Sequence, residues 1–169
     1  MKHESRKGQA LIEAIVALSV LTVGFLGIVT LLSRSLSLNR TVANQHLGSY
    51  LAAEGIEITR NLLDASIIQE KSWWENGRIV DGKYEVDYRT PLAPSGFLPV
   101  STGDPLQYNA ATNLYGYNIG GDKTGFVRTI KVEKIGSDEV RVNSVVSWEM
   151  QGGGTGQVDA EDHFYNWRP

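Results

Sequence analysis

"KGQALIEAIVALSVLTVGFLGIVTLL" runs from Lys7 to Leu32, and its reading decides the fold. From Ala14 to Leu32 there are nineteen residues without a charge. As a helix they rise about 28 Å, close to the roughly 30 Å hydrocarbon core of a bilayer. A helix buried in a soluble domain is the alternative, but such helices seldom run this far without a polar face. Glu13 stands out in this setting, because a charge inside a membrane helix costs roughly 2.5–3.5 kcal/mol on insertion scales and needs a partner. A carboxylate at headgroup level, reaching water by snorkelling, is the simpler alternative.

Lys2, Arg6 and Lys7 precede the span against Glu4 alone. That bias predicts a single-pass protein with its N-terminus on the cytoplasmic side, opposed but not reversed by Arg34 and Arg40. The apolar core is longer than the roughly 7–15 residues of a secretory signal, and no A-x-A site follows it. The span is therefore expected to stay in the mature protein.

Helical character continues past the span. No proline occurs between Leu36 and Leu63, and Gly48 and Gly55 are the only weak helix formers there. At 100° per residue, Leu36, Ala43, Leu47, Leu51, Ile58 and Leu62 fall on one side, with Leu38, Ala52, Ile56 and Leu63 roughly opposite. Two stripes predict two partners, one of them the chain's own head. Arg60 and Asp64, four apart, are expected to pair. The whole helix, from Gln9 to about Asp64, measures roughly 80 Å. Gly24 and Gly27 inside the apolar part have two readings: close packing between helices, or a point where the helix loosens.

Charge divides the chain. Residues 1–40 hold five basic and two acidic groups, a sum of +3, and residues 41–169 hold eleven and seventeen, a sum of −6. The acidic larger part argues against a broad nucleic-acid surface, which needs clustered cations. Cysteine is absent, so disulfides and thiolate metal sites are excluded.

Beyond Asp64 the pattern turns to strands. In "GKYEVDYR", Tyr84, Val86 and Tyr88 alternate with Glu85, Asp87 and Arg89. Pro91, Pro94, Pro99, Pro105 and several glycines predict a long loop from Pro91 to Asp122, with short strands at most near Tyr108 and Leu114–Tyr117. Two clear strands follow: Phe126, Ile130 and Val132 alternate with Val127, Thr129, Lys131 and Glu133, then Val140, Val142, Val146 and Trp148 with Arg141, Asn143 and Ser147. "GSDE" (Gly136–Glu139) joins them as a hairpin turn, and "GGGTG" (Gly152–Gly156) leads to a weak last strand, about Gln157 to Trp167. Trp73, Trp74, Trp148 and Trp167 read as core or sheet-edge residues. The expected fold is α+β: a long N-terminal helix packed on a small antiparallel sheet of three or four strands.

Catalytic chemistry is hard to find. His3, His46 and His163 are far apart, and neither H-E-x-x-H nor G-x-S-x-G occurs. "GYNIGGDKTG" has Asp122 where a phosphate loop needs lysine, and reads as a loop before the Phe126 strand. "DAEDH" (Asp159–His163) offers Asp159, Glu161 and Asp162 as oxygen ligands for calcium, but not at EF-hand spacing, and reads more simply as a solvated strand end. No cofactor or metal is expected, and no enzyme activity.

The segment from Gly8 through Gln9-Ala10-Leu11-Ile12-Glu13 into the apolar helix resembles the type IV pilin and pseudopilin family. The resemblance covers the chain through Ser35; the remainder matches in architecture only. It implies cleavage between Gly8 and Gln9 by a membrane-embedded prepilin peptidase, usually followed by methylation of the new amino terminus. The family most often has phenylalanine or methionine after the cut, and Gln9 departs from that. It implies further that Glu13 pairs with a subunit's N-terminal amine, an attraction much stronger in a low-dielectric setting than in water.

The expected organisation is a leader (1–8), a membrane and filament-core helix (9–33), and a head (34–169) made of an amphipathic half-helix (34–68) and a sheet (78–169). The expected function is a structural subunit, more in keeping with a minor than a major pilin, in a pilus or in a secretion or DNA-uptake pseudopilus. Its partners are then the peptidase, other pilin subunits, the assembly machinery and the membrane. It would sit in the cytoplasmic membrane before assembly and at the cell surface after it. A single-span anchored binding module that never polymerises is the alternative; a membrane-tethered enzyme lacks a catalytic constellation.

Overall fold

The computed structural model describes residues 4–69, 73, 80–90 and 103–166, with side chains from Gly8 onward. The chain divides into two compact units, Met1–Val42 and Ala43–Pro169. One helix, α1 (Glu4–Ile68), begins in the first unit and ends in the second, and packs there on an antiparallel sheet. The strands are β1 (Gly82–Tyr84), β2 (Pro105–Asn109), β3 (Leu114–Gly116), β4 (Asp122–Ile135), β5 (Glu139–Glu149) and β6 (Thr155–Tyr165). Their order is β3-β2-β4-β5-β6, and β1 shares the outer edge of β4 with β2. The α+β expectation holds, with six strands among the described residues in place of three or four.

In the second unit, alternation does what it predicts. On β5, Val140, Val142, Ser144, Val146 and Trp148 are buried while their neighbours are half-exposed. Phe126, Ile130 and Val132 do the same on β4. Each such aliphatic or aromatic side chain contributes roughly 1.5–3 kcal/mol when fully buried. The β4–β5 hairpin turns at Gly136, whose φ of 81° suits glycine. The second turn is Met150–Gly154, closed by the Met150 N–H donating to the Gly154 carbonyl at 3.0 Å. Gly156 belongs to β6, opposite Trp148. A Cβ there would stand 2.6 Å from Trp148 Cζ2, so the missing side chain is what admits the indole. The last strand is not weak: all eleven residues of β6 pair with β5 without a register shift.

The helix side corrects the two-stripe expectation. Gly48, Leu51, Ala52, Gly55, Ile56, Thr59, Leu63, Ser66 and Ile67 are buried along one seam, at steps of three and four. The seam mixes members of both apolar stripes and includes glycine, serine and threonine, which a hydrophobic count ignores. At Gly55 a Cβ would come within 2.7 Å of Ile130 Cδ1 and closer still to Ser144 Oγ. Gly48 meets the Trp148 ring in the same way, at 2.5 Å from Cζ3. These glycines set how closely helix and sheet approach. Arg60 does not pair with Asp64; it reaches Glu57 and, across to β6, Asp162 at 2.9 Å.

The "GKYEVDYR" alternation stops early. β1 ends at Tyr84, Val86 is still buried, and then Asp87 is buried while Tyr88 is exposed. Asp87 turns the chain: its Oδ1 accepts the Arg89 N–H, its Oδ2 accepts the Tyr117 N–H at 2.9 Å, and its own N–H donates to Thr90 Oγ1. Such local side-chain bonds outcompete strand pairing. The β2–β3 hairpin falls where short strands were expected; residues 91–102, with three of the four prolines, lie outside the described residues, as do Trp74 and Trp167.

Arg128 lies on the buried phase of β4, between Phe126 and Ile130, and divides the core into two patches. Its side chain is fully buried. Nη1 donates to the Leu51 carbonyl at 3.0 Å and to Glu54 Oε2 at 2.9 Å, and Nη2 donates to the Val86 carbonyl at 2.6 Å. The guanidinium thereby ties α1, β4 and the segment after β1 together. Tyr117 donates its hydroxyl to the Arg128 carbonyl, and burial pushes that phenol's pKa up to about 12.

Candidate functional site: an unpartnered apolar helix

Every residue from Gly8 to Ala43 is exposed. The segment is long and apolar enough to cross a membrane, and none of its most apolar stretch is buried within the chain. Leu11, Ile15, Leu18, Leu21, Phe25, Leu31 and their neighbours present bare side chains all round the helix. In water this arrangement has no source of stability beyond the helix itself, since helices depend mainly on burying a face. The surface therefore requires an apolar surrounding.

The hydroxyls inside the span fit that requirement. Ser19 donates to the Ile15 carbonyl at 2.7 Å, Thr22 to Leu18 at 2.6 Å and Thr30 to Leu26 at 2.8 Å. No other hydroxyl lies between Ala14 and Leu32, so each one is satisfied within the helix. That is what a bilayer interior demands of polar groups.

Glu13 is the exception. It is exposed, and among the described residues no hydrogen bond or ion pair satisfies it. Gly8 and Gln9 precede it by about one helical turn, exposed on the same helix. Gly24 and Gly27 lie in open space, where a Cβ would meet nothing within 4 Å. Within a single chain, then, neither glycine is explained by packing. The anticipated residues share one helix, and no other described residue converges on them.

The head gathers polar groups on the outer face of β6. Asp159, Glu161 and His163 share the outer face of β6, while Asp162 points the other way to Arg60. Asn143 donates to both Asp159, at 3.1 Å, and Glu161, at 2.9 Å. Among the described residues no three acidic or histidine side chains could hold a metal ion, so the three carboxylates do not converge as calcium ligands. Of "GYNIGGDKTG", Gly116 ends β3, residues 117–121 form the expected loop, and Asp122–Gly125 already belong to β4, which starts four residues before Phe126. The Ile119 N–H donates to Gln107 Oε1 at 3.0 Å, and the backbone at Gly121 lies against that of Tyr108 and Asn109.

Sequence reasoning passed over Arg128. Its signal was present, because a charged residue on the same parity as Phe126, Ile130 and Val132 must be buried and paired. The chain matches no family model, no curated protein and no solved structure.

Proposed function

We propose that this chain is a pilin-like structural subunit, anchored in the cytoplasmic membrane and then assembled through its N-terminal helix into a pilus or pseudopilus. One observation carries the reading: a bare apolar length of helix from Gly8 to Ala43, whose single carboxylate, Glu13, has no partner among the described residues. A bilayer satisfies the apolar surface but not the carboxylate. A neighbouring subunit's helix satisfies both, if cleavage after Gly8 supplies a positive amine. Gly24 and Gly27, open in the single chain, then serve packing between helices or local loosening on leaving the membrane.

The anchored binding module that never polymerises shares the same helix and differs at Gly8. Intact-mass analysis of protein sheared from the cell surface separates the two. A chain beginning at Gln9 supports the subunit, and a retained Met1–Gly8 supports the module. Glu13→Ala should still be cleaved yet appear in the sheared fraction at about a tenth of the wild-type amount or less, as expected when about 1.4 kcal/mol or more of docking energy is lost. Normal incorporation of that variant would overturn the charge-pairing account.

A further inference from the structure

The two edges of the sheet are built differently. On one side, β3 has three residues, β1 has three, and β2 meets β4 with a register shift between Pro105 and Gln107. Short strands, a proline and a bulge are the devices that keep an edge from pairing with other chains. On the other side, β6 has eleven residues, no proline, no bulge and full pairing on its inner side. None of its residues is buried. An edge of that kind is a template for another strand.

The backbone groups of β6 alternate between the β5 side and the open side. The His163 N–H donates to Oδ1 of Asp162 at 2.9 Å, so it does not bond β5. In an antiparallel pair, alternate residues turn their N–H and C=O to the same neighbour. Residues of odd number on β6 therefore aim these groups away from β5, and Asn166, of even number, donates toward the β5 side, to the Asp138 carbonyl. The His163 donor is already occupied. Thr155, Gln157, Asp159 and Glu161 remain as an unbroken row of four outward N–H groups, with Tyr165 beyond His163, and the carbonyls of all six odd-numbered residues face the same way.

The same residues carry the side chains that select an occupant. Asp159 and Glu161 stand exposed on the outer face, and Val158 and Ala160 lie on the inner face, packed against the core. The groups around the acids are Asn143, His163 and Arg141, and Arg141 is already bonded to Glu133. A second copy of β6 laid antiparallel about Ala160 would set Asp159 opposite Glu161, a like-charge pair that is destabilising. The geometry points to β6 as a docking edge for an extended segment of a different chain, with lysine or arginine facing Asp159 and Glu161 and apolar residues facing Val158 and Ala160. This inference does not depend on the pilin reading.

The test uses the full chain in a non-ionic detergent and a fluorescent nine-residue peptide alternating lysine and valine. The lysine peptide should bind about tenfold or more tighter than its glutamate–valine counterpart. On binding, the amides of Gln157, Asp159 and Glu161 should gain protection from hydrogen exchange. Glu161→Pro removes one outward donor without touching the β5 ladder and should weaken capture about tenfold. Gln157→Pro is the companion variant should that one melt. Glu161→Gln should keep strand pairing but lose much of the preference for lysine. No binding by either peptide, unchanged amide protection, or equal capture by a folded proline variant would each overturn the proposal.

Discussion

Gly24 and Gly27 in one length of α1, and Gly48 and Gly55 in the other, occupy opposite environments. The first pair face open space; the second are pressed against Trp148, Ser144 and Ile130. Both lengths are helical. From Gly8 to Ala43 every described residue is exposed, whereas from Gly48 to Ile67 a continuous seam is buried under the sheet. The lesson is that an identical backbone conformation can be held by two different causes. The head-bound length is held by tertiary packing within one molecule, and the free length by whatever apolar surrounding it enters.

The largest expected effect tests the first of these causes. Arg128→Met deletes the buried guanidinium that ties Leu51, Glu54 and Val86 to β4, and leaves the Val86 carbonyl without that donor. Removing one partner from a buried pair costs about 3–5 kcal/mol. Urea unfolding followed through the Trp73 and Trp148 fluorescence should show the head losing about that much, while helicity of the detergent-bound apolar segment persists. Equal loss in both regions would break the distinction between them.

A smaller effect compares the glycines directly. Gly55→Ala gains about 1 kcal/mol of helix propensity but must push Ile130 and Ser144 aside, a cost of about 1–3 kcal/mol. Net head stability should fall by about 1 kcal/mol. Gly24→Ala gains the same propensity with no clash and should leave the head's urea midpoint unchanged. If Gly24→Ala also shifted that midpoint, the two lengths of helix would not be energetically separate.

Much of this is legible in the sequence, and the rest depends on contacts that local pattern does not carry. The apolar span, the alternation of β4 and β5 and the glycine turns announce themselves, because each depends on local pattern or backbone freedom. The helix seam did not, because Gly48, Gly55, Thr59 and Ser66 are buried for their small size and not for their hydrophobicity. Asp87 and Tyr88 exchanged their expected places because a carboxylate found backbone donors thirty residues away, at Tyr117. Arg128 reads as surface until its parity on the strand is counted. Glu13 is the converse case: the sequence singles it out as a charge beside the apolar span, and no described residue pairs with it.

The smallest effect concerns the fastening of β6 at the edge of the head. His163 Nδ1 lies 2.5 Å from Glu139 Oε1 and Nε2 lies 3.4 Å from Glu161 Oε1, with Tyr165 donating to Glu139 at 3.1 Å and Arg141 opposite. The hydrogen bond to Glu139 raises the pKa of His163 above its ordinary 6.5, opposed by desolvation and helped by the bond to Glu161. The same bond lowers Glu139, and bonds from Asn143 and then His163 lower Glu161, below the ordinary 4.5. A raised histidine stabilises fully below its unfolded pKa and stops doing so as pH rises through the folded one. Lowered carboxylates stabilise above their unfolded pKa and lose that as pH falls through the folded one. The two conditions overlap between about pH 4.5 and 6.5. Amide exchange along β6 should be slowest there after correction for intrinsic rates, and should quicken as pH rises toward 8. His163→Gln should abolish the upper slope. A slope that survives the substitution would move the pH dependence away from His163 and leave β6 fastened by its backbone ladder, the Asn143 bonds, the packing of Val158, Ala160 and Phe164, and Arg60–Asp162.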